Sequence, residues 1–422
     1  MLPEGNSNLT LFMHSASLTL CSLSVGITSH THSPTHSTRF HIYELINVMQ
    51  SSDYTAKATA TATATATASA PGCMYLVDSH AHLQLDPLHD HTEVALSNAA
   101  SRHVIAIVVN AVCPGEDWRR VEALVAMTSG PDSCSAPHGP LLIPQFGLHP
   151  WWIDKLDGSS TATVESVSAL CSHLKEQLEH QMISFPMCGV GECGLDKCIK
   201  KRVSLEAQEA VLRCHIEVAL KYRRPITLHC VGSWGRLFDI LSEFADSPHL
   251  RLKANCDEKK VAVETETISD ENIVAEVSDL EFCVVLHSCN AMPPDMQVRF
   301  QTLKNIALYY SFNGKQLEAP VTKLLESIPR DKLLIETDSP DMMPPQDACT
   351  SFGTSCNEDQ DTEVIQKNYI STSLNYSCNE PANIFRTCMR VSALLGESCT
   401  DIAMETTRNA LFAFRGTTNL TQ

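Results

Sequence analysis

The sequence predicts an α/β fold in which eight parallel strands close into a (β/α)8 barrel. Eight apolar, β-branched runs alternate with helix-like stretches between residues 74 and 336. A strand followed by a helix, eight times, favours a parallel sheet, and eight such units are enough to close it. Six of the runs carry a metal-type ligand at or just past their C-terminal ends. A barrel brings all these ends to one mouth, whereas an open doubly wound sheet, the alternative fold, gathers its ligands at one switch point.

The strand predictions follow apolar runs that are bounded by turn residues. In chain order they are residues 74–78, 104–110, 141–146, 187–191, 225–228, 282–286, 307–312 and 332–336. Helices are predicted between them where apolar residues recur with helical spacing, as in residues 164–180, 205–222 and 319–327. One barrel takes about 250 residues. The chain of 422 residues is therefore expected to hold one barrel and additional segments.

The barrel domain is predicted to span residues 73–416 and to follow a low-complexity extension over residues 1–72. Residues 28–39 are rich in Ser, Thr and His, and residues 58–68 alternate Ala and Thr. Such a composition has too little apolar mass to pack, so we expect the extension to be disordered. No basic segment precedes the mildly apolar residues 8–27, and a secretory signal is not favoured. Organelle targeting by the extension is the alternative to the expected cytoplasmic location.

The charge is unevenly distributed. The formal net charge of −18 argues against broad electrostatic attraction to nucleic acid. Two acidic stretches without helix or strand periodicity, residues 251–281 and 341–378, are interpreted as inserted loops. A basic cluster follows the fourth predicted strand, where a phosphate would dock, and consists of Lys197, Lys200, Lys201 and Arg202. A solvated loop or helix face is the alternative interpretation of this cluster.

The cysteines and the apolar runs indicate whether the protein is a secreted, an intracellular or a membrane protein. The 18 cysteines are scattered singly, without CxxC pairs or an evenly spaced framework. We interpret them as reduced thiols, as expected inside a cell. No run of about 18 uninterrupted apolar residues occurs, so no transmembrane helix is expected. The sequence gives no indication of an obligate protein partner.

Histidines and carboxylates occupy matching positions at the predicted strand ends. His80 and His82 are two residues apart, so that strand geometry places both rings on the same face. His229 and His287 each end a later apolar strand, and Glu192 lies among glycines that leave room for a bridging carboxylate. A single histidine at such a place is more often a core residue. The recurrence of histidines at matching strand ends favours a role as metal ligands.

Other side chains near the predicted mouth allow two interpretations each. Asp338 ends the eighth strand, where it could hold a metal and accept a proton from an attacking water. Asp78 is either a hydrogen-bond partner of a histidine ring or a strand-end cap. Trp151 and Trp152 follow the third strand, and they could stack an unpaired base or fill a loop.

An ordered set of motifs resembles the TatD family of metal-dependent deoxyribonucleases, which are amidohydrolase-type TIM barrels. The motifs are DSHAHLQ, GLHP, GECGLDK, LHC, LHS, YYSFNGK, ETDSP and NEPANI. They extend over roughly residues 73–416. No single motif is specific, but the ordered set is.

The resemblance implies a two-cation centre with Glu192 as the bridging ligand. It implies three catalytic residues, Asp338, Glu192 and His149, of which Asp338 accepts the proton of the attacking water. His149, from the GLHP motif, and Lys197, from the basic cluster, are the predicted substrate contacts. Mg²⁺ or Mn²⁺ suits such a carboxylate-containing site, and the histidines leave room for Zn²⁺. The implied metal ligands are His80, His82, Glu192, His229, His287 and Asp338.

The implied function is divalent-metal-dependent hydrolysis of phosphodiester bonds in DNA, with single strands or 3′ ends as the expected substrate. Hydrolysis of a small amide or ester by the same type of centre is the alternative. The chain departs from the family at Val231, two residues after His229, where the family often has an Arg. It also departs at residues 288–291, which lack a usual Gly. These departures concern substrate contacts rather than metal ligands.

Overall fold

The described residues fall within the predicted barrel domain. A computed structural model describes residues 74–129, 139–158, 161–246, 282–317, 319–345 and 378–415. The predicted extension over residues 1–72 lies outside the described residues. The predicted acidic loop 251–281 and most of the second one, 341–378, lie outside them as well.

Eight parallel strands form one sheet in which each strand pairs with the next one along the chain. This arrangement confirms the predicted (β/α)8 fold. The strands are β1 (Leu76–Ala81), β2 (Val104–Asn110), β3 (Leu141–Phe146), β4 (Gly189–Asp196), β5 (Ile226–Val231), β6 (Phe282–Leu286), β7 (Ile306–Asn313) and β8 (Leu333–Glu336).

Backbone hydrogen bonds between the first and last strands close the sheet into a barrel. The Asp338 N–H donates to the His80 carbonyl at 2.9 Å, and the His82 N–H donates to the Ser339 carbonyl at 2.7 Å. Ala81 and Ser339 also form a parallel bridge. An open doubly wound sheet has no such contact between its outer strands. Closure therefore brings residues from both ends of the domain sequence together.

Helices lie between the strands and cover the outside of the barrel. None of the described helices is long and apolar enough to cross a membrane. Short 3-10 helices follow β3 and β4, at Pro150–Trp152 and Lys197–Ile199. The α-helices are α1 (Thr92–Ser101), α2 (Glu116–Ser129), α3 (Ile153–Asp157), α4 (Val167–Ser184), α5 (Leu205–Tyr222), α6 (Trp234–Ala245), α7 (Pro294–Phe300), α8 (Ala319–Ser327), α9 (Ile384–Leu395) and α10 (Cys399–Ala413).

Helix α5 shows how the sequence sets the limits of a helix. It begins after Ser204, whose hydroxyl accepts a hydrogen bond from the Ala207 N–H at 3.1 Å. Its apolar side chains, such as Val211 and Ile216, are buried. It ends at Arg223, which adopts the left-handed conformation that stops many helices.

Apolar side chains pack together in the N-terminal part of the barrel interior. One cluster of buried side chains joins Ile143 of β3 and Val285 of β6 to Phe414, which follows α10. Because β3 and β6 are not neighbours, their side chains can meet only inside the barrel. Helix α10 supports the N-terminal end, where the Thr407 hydroxyl donates to the carbonyl of Tyr75 at 2.8 Å. Polar side chains occupy the opposite, C-terminal end of the barrel.

Candidate metal centre

The six predicted ligand side chains converge at the C-terminal end of the barrel. Glu192 of β4 lies in the middle of them and is only 2 % exposed. Its two carboxylate oxygens face different sets of imidazole nitrogens. The ligand atoms therefore fall into two groups, one on each oxygen.

The first group lies around Oε2 of Glu192. Nε2 of His80 and Nε2 of His82 are 3.2 Å apart, and they lie 3.3 Å and 3.4 Å from this oxygen. Oδ1 of Asp338 lies 3.8 Å from Nε2 of His80 and 3.6 Å from Nε2 of His82. Two imidazoles and two carboxylates that converge in this way could hold a divalent cation.

The second group lies around Oε1 of Glu192. The distances to this oxygen are 2.7 Å from Nε2 of His287, 3.1 Å from Nδ1 of His229 and 3.4 Å from Nε2 of His149. Nδ1 of His229 and Nε2 of His287 are 3.3 Å apart. Oε1 of Glu192, Nδ1 of His229 and Nε2 of His287 could hold a second cation. Glu192 lies between the two groups, where its carboxylate could be shared by both cations.

His82 presents the form of imidazole that a metal requires. Its Nδ1 lies 2.7 Å from the carbonyl oxygen of Asn110. A carbonyl oxygen can only accept, so Nδ1 carries a proton, and the neutral ring would present the lone pair of Nε2. That lone pair is directed at the first group. The chemistry of this donor set therefore fits a bound cation.

His149 shows the opposite arrangement. Its Nδ1 accepts a hydrogen bond from the Trp151 N–H at 3.2 Å, so the neutral ring carries its proton on Nε2. Burial lowers the pKa of His149 to about 3, which keeps the ring neutral. In this form Nε2 can donate a hydrogen bond but cannot coordinate a cation. The predicted role of His149 in substrate contact fits this geometry better than a role as ligand.

A carboxylate that the sequence analysis left unassigned lies behind His229. Asp196, at the end of β4, has its Oδ2 3.6 Å from Nε2 of His229. The same oxygen accepts a hydrogen bond from Nε1 of Trp151 at 2.6 Å. Nδ1 of His229 faces Glu192, so Asp196 lies on the outer side of the ring. A carboxylate in this position orients an imidazole for metal binding.

A second unassigned carboxylate lies behind His287. Oε1 of Glu336, a buried residue of β8, is 3.5 Å from Nδ1 of His287 and accepts a hydrogen bond from the Ser288 N–H at 2.8 Å. Both outer carboxylates were visible in the motifs GECGLDK and ETDSP. Nothing in the motifs indicates the distance to a histidine, because that distance depends on the packing of separate strands.

Asp78 and Asp338 both depend on the contact between β1 and β8. The Asp78 carboxyl accepts hydrogen bonds from the Thr337 N–H at 2.9 Å and from the Thr337 hydroxyl at 2.5 Å. It thus holds the strand end that carries Asp338, rather than a histidine ring. Asp338 has a φ of 53°, in the left-handed region that Asp tolerates. Burial opposes ionisation of Asp338, but the neighbouring imidazoles of His82, His287 and His80 outweigh it and lower the pKa to about 2.

A glycine permits the close approach of β4 and β5 at the centre. A Cβ at Gly194 would overlap the carbonyl oxygen of His229, and Gly194 has a φ of 151°. This agrees with the prediction that the glycines around Glu192 allow close backbone approach. The site therefore needs a residue without a side chain at this position.

The predicted basic cluster is exposed at the mouth but is not uniform. The guanidinium of Arg202 lies 2.7 Å from the carboxylate of Asp154 and donates to the carbonyl of Trp151. Arg202 therefore supports the loop after β3. Lys197 is the first residue of the 3-10 helix after β4, at the same end of the barrel as Glu192. Its contact with a substrate stays a prediction.

Comparisons with known proteins agree with this architecture. The chain matches the family model described as TatD related DNase over residues 77–415. The Cut9-interacting protein scn1 of Schizosaccharomyces pombe is 23% identical over 312 residues, which cover 62% of this chain and 86% of that protein.

Solved structures share the fold at low sequence identity. A TatD homologue from Escherichia coli is 20% identical with a TM-score of 0.53, and the match covers 81% of this chain and 98% of that chain. An uncharacterized amidohydrolase from Saccharomyces cerevisiae is 18% identical with a TM-score of 0.58, and the match covers 80% and 99%. Because the family model matches most of the described barrel, the chain belongs to the TatD family of hydrolases, which are built on an amidohydrolase-type TIM barrel.

Proposed function

We propose that this protein hydrolyses phosphodiester bonds in DNA and that it uses two divalent cations. The observation that carries the proposal is the position of Glu192 between two groups of ligand atoms. Centres with two cations are suited to in-line displacement at phosphorus, in which an attacking and a leaving oxygen must both be stabilised. The family match over residues 77–415 supports the same reaction.

Six side chains would hold the cations. When bound, the cations lower the pKa of water and neutralise charge on the leaving oxygen. Glu192 would be shared by both cations. Each of the other ligands would bind the cation on the side of the Glu192 oxygen that it lies nearer to. Mg²⁺ and Mn²⁺ fit the carboxylates, and the imidazoles also suit Zn²⁺. The proposed ligands are His80, His82, Glu192, His229, His287 and Asp338.

Three further roles follow from the geometry. The Asp338 carboxylate accepts the proton of the attacking water, since this buried carboxylate is ionised and belongs to the first group. His149 donates a hydrogen bond from Nε2 to a phosphate oxygen, because its Nδ1 is occupied by the Trp151 N–H. Lys197 binds a phosphate at the mouth, where it adds positive charge to an otherwise acidic protein.

A single strand or a free 3′ end is the proposed substrate. Glu192, His149 and Asp338 are all buried within the barrel end. A phosphate must therefore enter the mouth to reach them. A flexible single strand or a chain end enters more readily than the middle of a duplex does.

The proposal is tested by metal-dependent degradation of DNA. Purified protein with Mg²⁺ or Mn²⁺ should degrade single-stranded DNA and should lose this activity in EDTA. Asp338→Asn and Glu192→Gln should each lower kcat by about 10²-fold or more. Asp331→Asn is the matched control, because this exposed carboxylate precedes β8 at the opposite end of the barrel.

The alternative function predicts a different outcome. If the metal-loaded protein leaves DNA intact but hydrolyses small amides or esters, the phosphodiesterase proposal is wrong. Equal activity of Asp338→Asn and wild type would also contradict it.

A further inference from the structure

We infer that Trp151 is a stacking platform for an unpaired nucleobase next to the phosphate that the centre hydrolyses. The inference rests on the proposed phosphodiesterase function and names a contact that this function requires in the substrate. It concerns a side chain outside the ligand groups. The supporting observations are the position of the indole, its anchoring and its exposure.

The indole lies directly beside the centre. Trp151 is the middle residue of the 3-10 helix Pro150–Trp152, which follows β3. Its ring centroid is 5.3 Å from that of His149, and the two ring planes are nearly perpendicular, at 86°. Nε2 of His149 in turn lies 3.4 Å from Oε1 of Glu192. A phosphate held by His149 would therefore place its own nucleoside within reach of the indole.

Trp151 is anchored through all its polar groups. Its Nε1–H donates to Oδ2 of Asp196 at 2.6 Å, and its backbone N–H donates to Nδ1 of His149. Its carbonyl accepts a hydrogen bond from the Arg202 guanidinium at 2.7 Å. These bonds fix the residue in advance, so little conformational entropy remains to be lost when a ligand binds.

The anchored ring is nevertheless open to solvent. The side chain is 51 % exposed, although apolar aromatic surface is favourably buried. With its polar groups already bonded, the exposed part of Trp151 is apolar ring surface. A planar, uncharged and aromatic ligand group is the partner that such a surface stabilises. A nucleobase has this chemistry, and a small aliphatic amide or ester does not.

The neighbouring tryptophan serves as an internal comparison. The ring of Trp152 packs partly buried against the hydrophobic core, and Nζ of Lys155 lies 3.5 Å from its ring centroid. Trp152 therefore fills the loop, which is one of the two predicted roles for this pair. Trp151 has the geometry of the other predicted role, which is stacking on an unpaired base.

Stacking tolerates any base, because every base has a flat aromatic face. The contact would therefore favour single strands over duplex DNA without selecting a sequence. Removing one such contact in known single-strand binding proteins lowers affinity between about 5-fold and about 150-fold. An effect of this size is measurable in kcat/KM.

The first test compares a strand with bases and a strand without them. The substrates are a short oligothymidylate and a strand of the same length with a tetrahydrofuran residue in place of every nucleoside. We expect wild type to prefer oligothymidylate by about tenfold in kcat/KM. Trp151→Leu should reduce this preference towards unity, whereas Trp151→Phe, which keeps an aromatic ring, should retain most of it.

The control is a large exposed apolar side chain elsewhere. Ile183 is 70 % exposed and lies near the end of α4, which leads to the N-terminal end of β4. Ile183→Ala should keep the wild-type preference. If Trp151→Leu keeps it too, the inference is wrong while the phosphodiesterase function stands. If wild type cleaves neither strand, the proposed function fails instead.

A second test measures binding without turnover. In Asp338→Asn with Mg²⁺, oligothymidylate should quench indole fluorescence and the abasic strand should not. Adding Trp151→Phe to this variant should remove most of the quenching, because Trp118 and Trp234 are buried and Trp152 packs partly buried against the core. Quenching that stays undiminished after the Trp151→Phe change would overturn the inference.

Discussion

Oδ2 of Asp196 lies 3.6 Å from Nε2 of His229, on the side of the ring that faces away from Glu192. This carboxylate also accepts the indole hydrogen bond of Trp151. One side chain therefore supports both a candidate metal ligand and the exposed ring at the mouth. Burial opposes ionisation of Asp196, but the neighbouring imidazole of His229 and the hydrogen bond from Trp151 keep the pKa below its usual value.

Asp196→Asn should weaken the binding of the cation on the His229 side by about 10- to 100-fold, because an amide orients the imidazole less strongly than a carboxylate does. Isothermal titration with Mn²⁺ would measure the two affinities. Asp154→Asn is the control, since the Asp154 carboxylate faces Arg202 instead of a histidine. Equal Mn²⁺ affinities in Asp196→Asn and wild type would contradict the orienting role.

His149→Ala should lower kcat by about 10²- to 10³-fold, the effect of losing one positioned hydrogen-bond donor. The metal content should remain that of wild type, because Nε2 of the neutral ring carries a proton. His229→Ala should instead lose a cation. Metal analysis and initial rates on the same samples distinguish the two outcomes. A His149→Ala protein that lacks one cation would show that His149 is a ligand.

Gly194→Ala should destabilise the barrel by about 1–3 kcal/mol and weaken metal binding, because the new Cβ would push β5 and His229 away from β4. Gly235→Ala is the matched control. Gly235 lies in helix α6 with no atom within 4 Å of an added Cβ, so alanine should stabilise the helix by up to about 1 kcal/mol. Urea denaturation measures both effects, and similar midpoints for the two variants would refute the prediction.

The buried His215 should make stability depend on pH. Its Nε2 accepts a hydrogen bond from the Leu148 N–H at 2.9 Å, and its Nδ1 lies 2.8 Å from the Val211 carbonyl. Burial lowers the pKa of His215 from 6.5 to about 4. Between these values the unfolded chain binds the proton and the folded chain does not. Stability should therefore fall as the pH is lowered from 6.5 to 4, by on the order of 3 kcal/mol.

The contribution of His215 to the pH dependence of stability is obtained by comparing variants with wild type. Urea denaturation of the EDTA-treated protein across this pH range should give a shallower profile for His215→Gln than for wild type. His173→Gln, at an exposed position on α4, should follow the wild-type profile. Parallel profiles for His215→Gln and wild type would contradict the prediction.

Much of the fold could be predicted from local patterns. The limits of β2, β3 and β6 agree with the predicted ones, since turn residues bound these apolar runs. The predicted ends of β4 and β5, at residues 191 and 228, were too early. Both strands continue through Glu192 and His229 to Asp196 and Val231. Polar residues were interpreted as strand ends, although a barrel mouth accommodates them within strands.

The candidate site was predictable as a set of converging side chains but not as a network. The prediction that His80 and His82 share one face agrees with the 3.2 Å between their Nε2 atoms. The outer carboxylates Asp196 and Glu336 were missed, because each meets its histidine only through the packing of another strand. The proton position on His149 depends on a single backbone N–H, and no motif shows it.

The closure of β1 against β8 has a consequence for synthesis of the chain. Asp338 is the last of the clustered side chains to leave the ribosome, and its backbone N–H bonds to His80, the first of them. A nascent polypeptide that already contains the other ligands still lacks the partner that completes the first group. Tight capture of a cation there would therefore report that translation has passed the eighth strand.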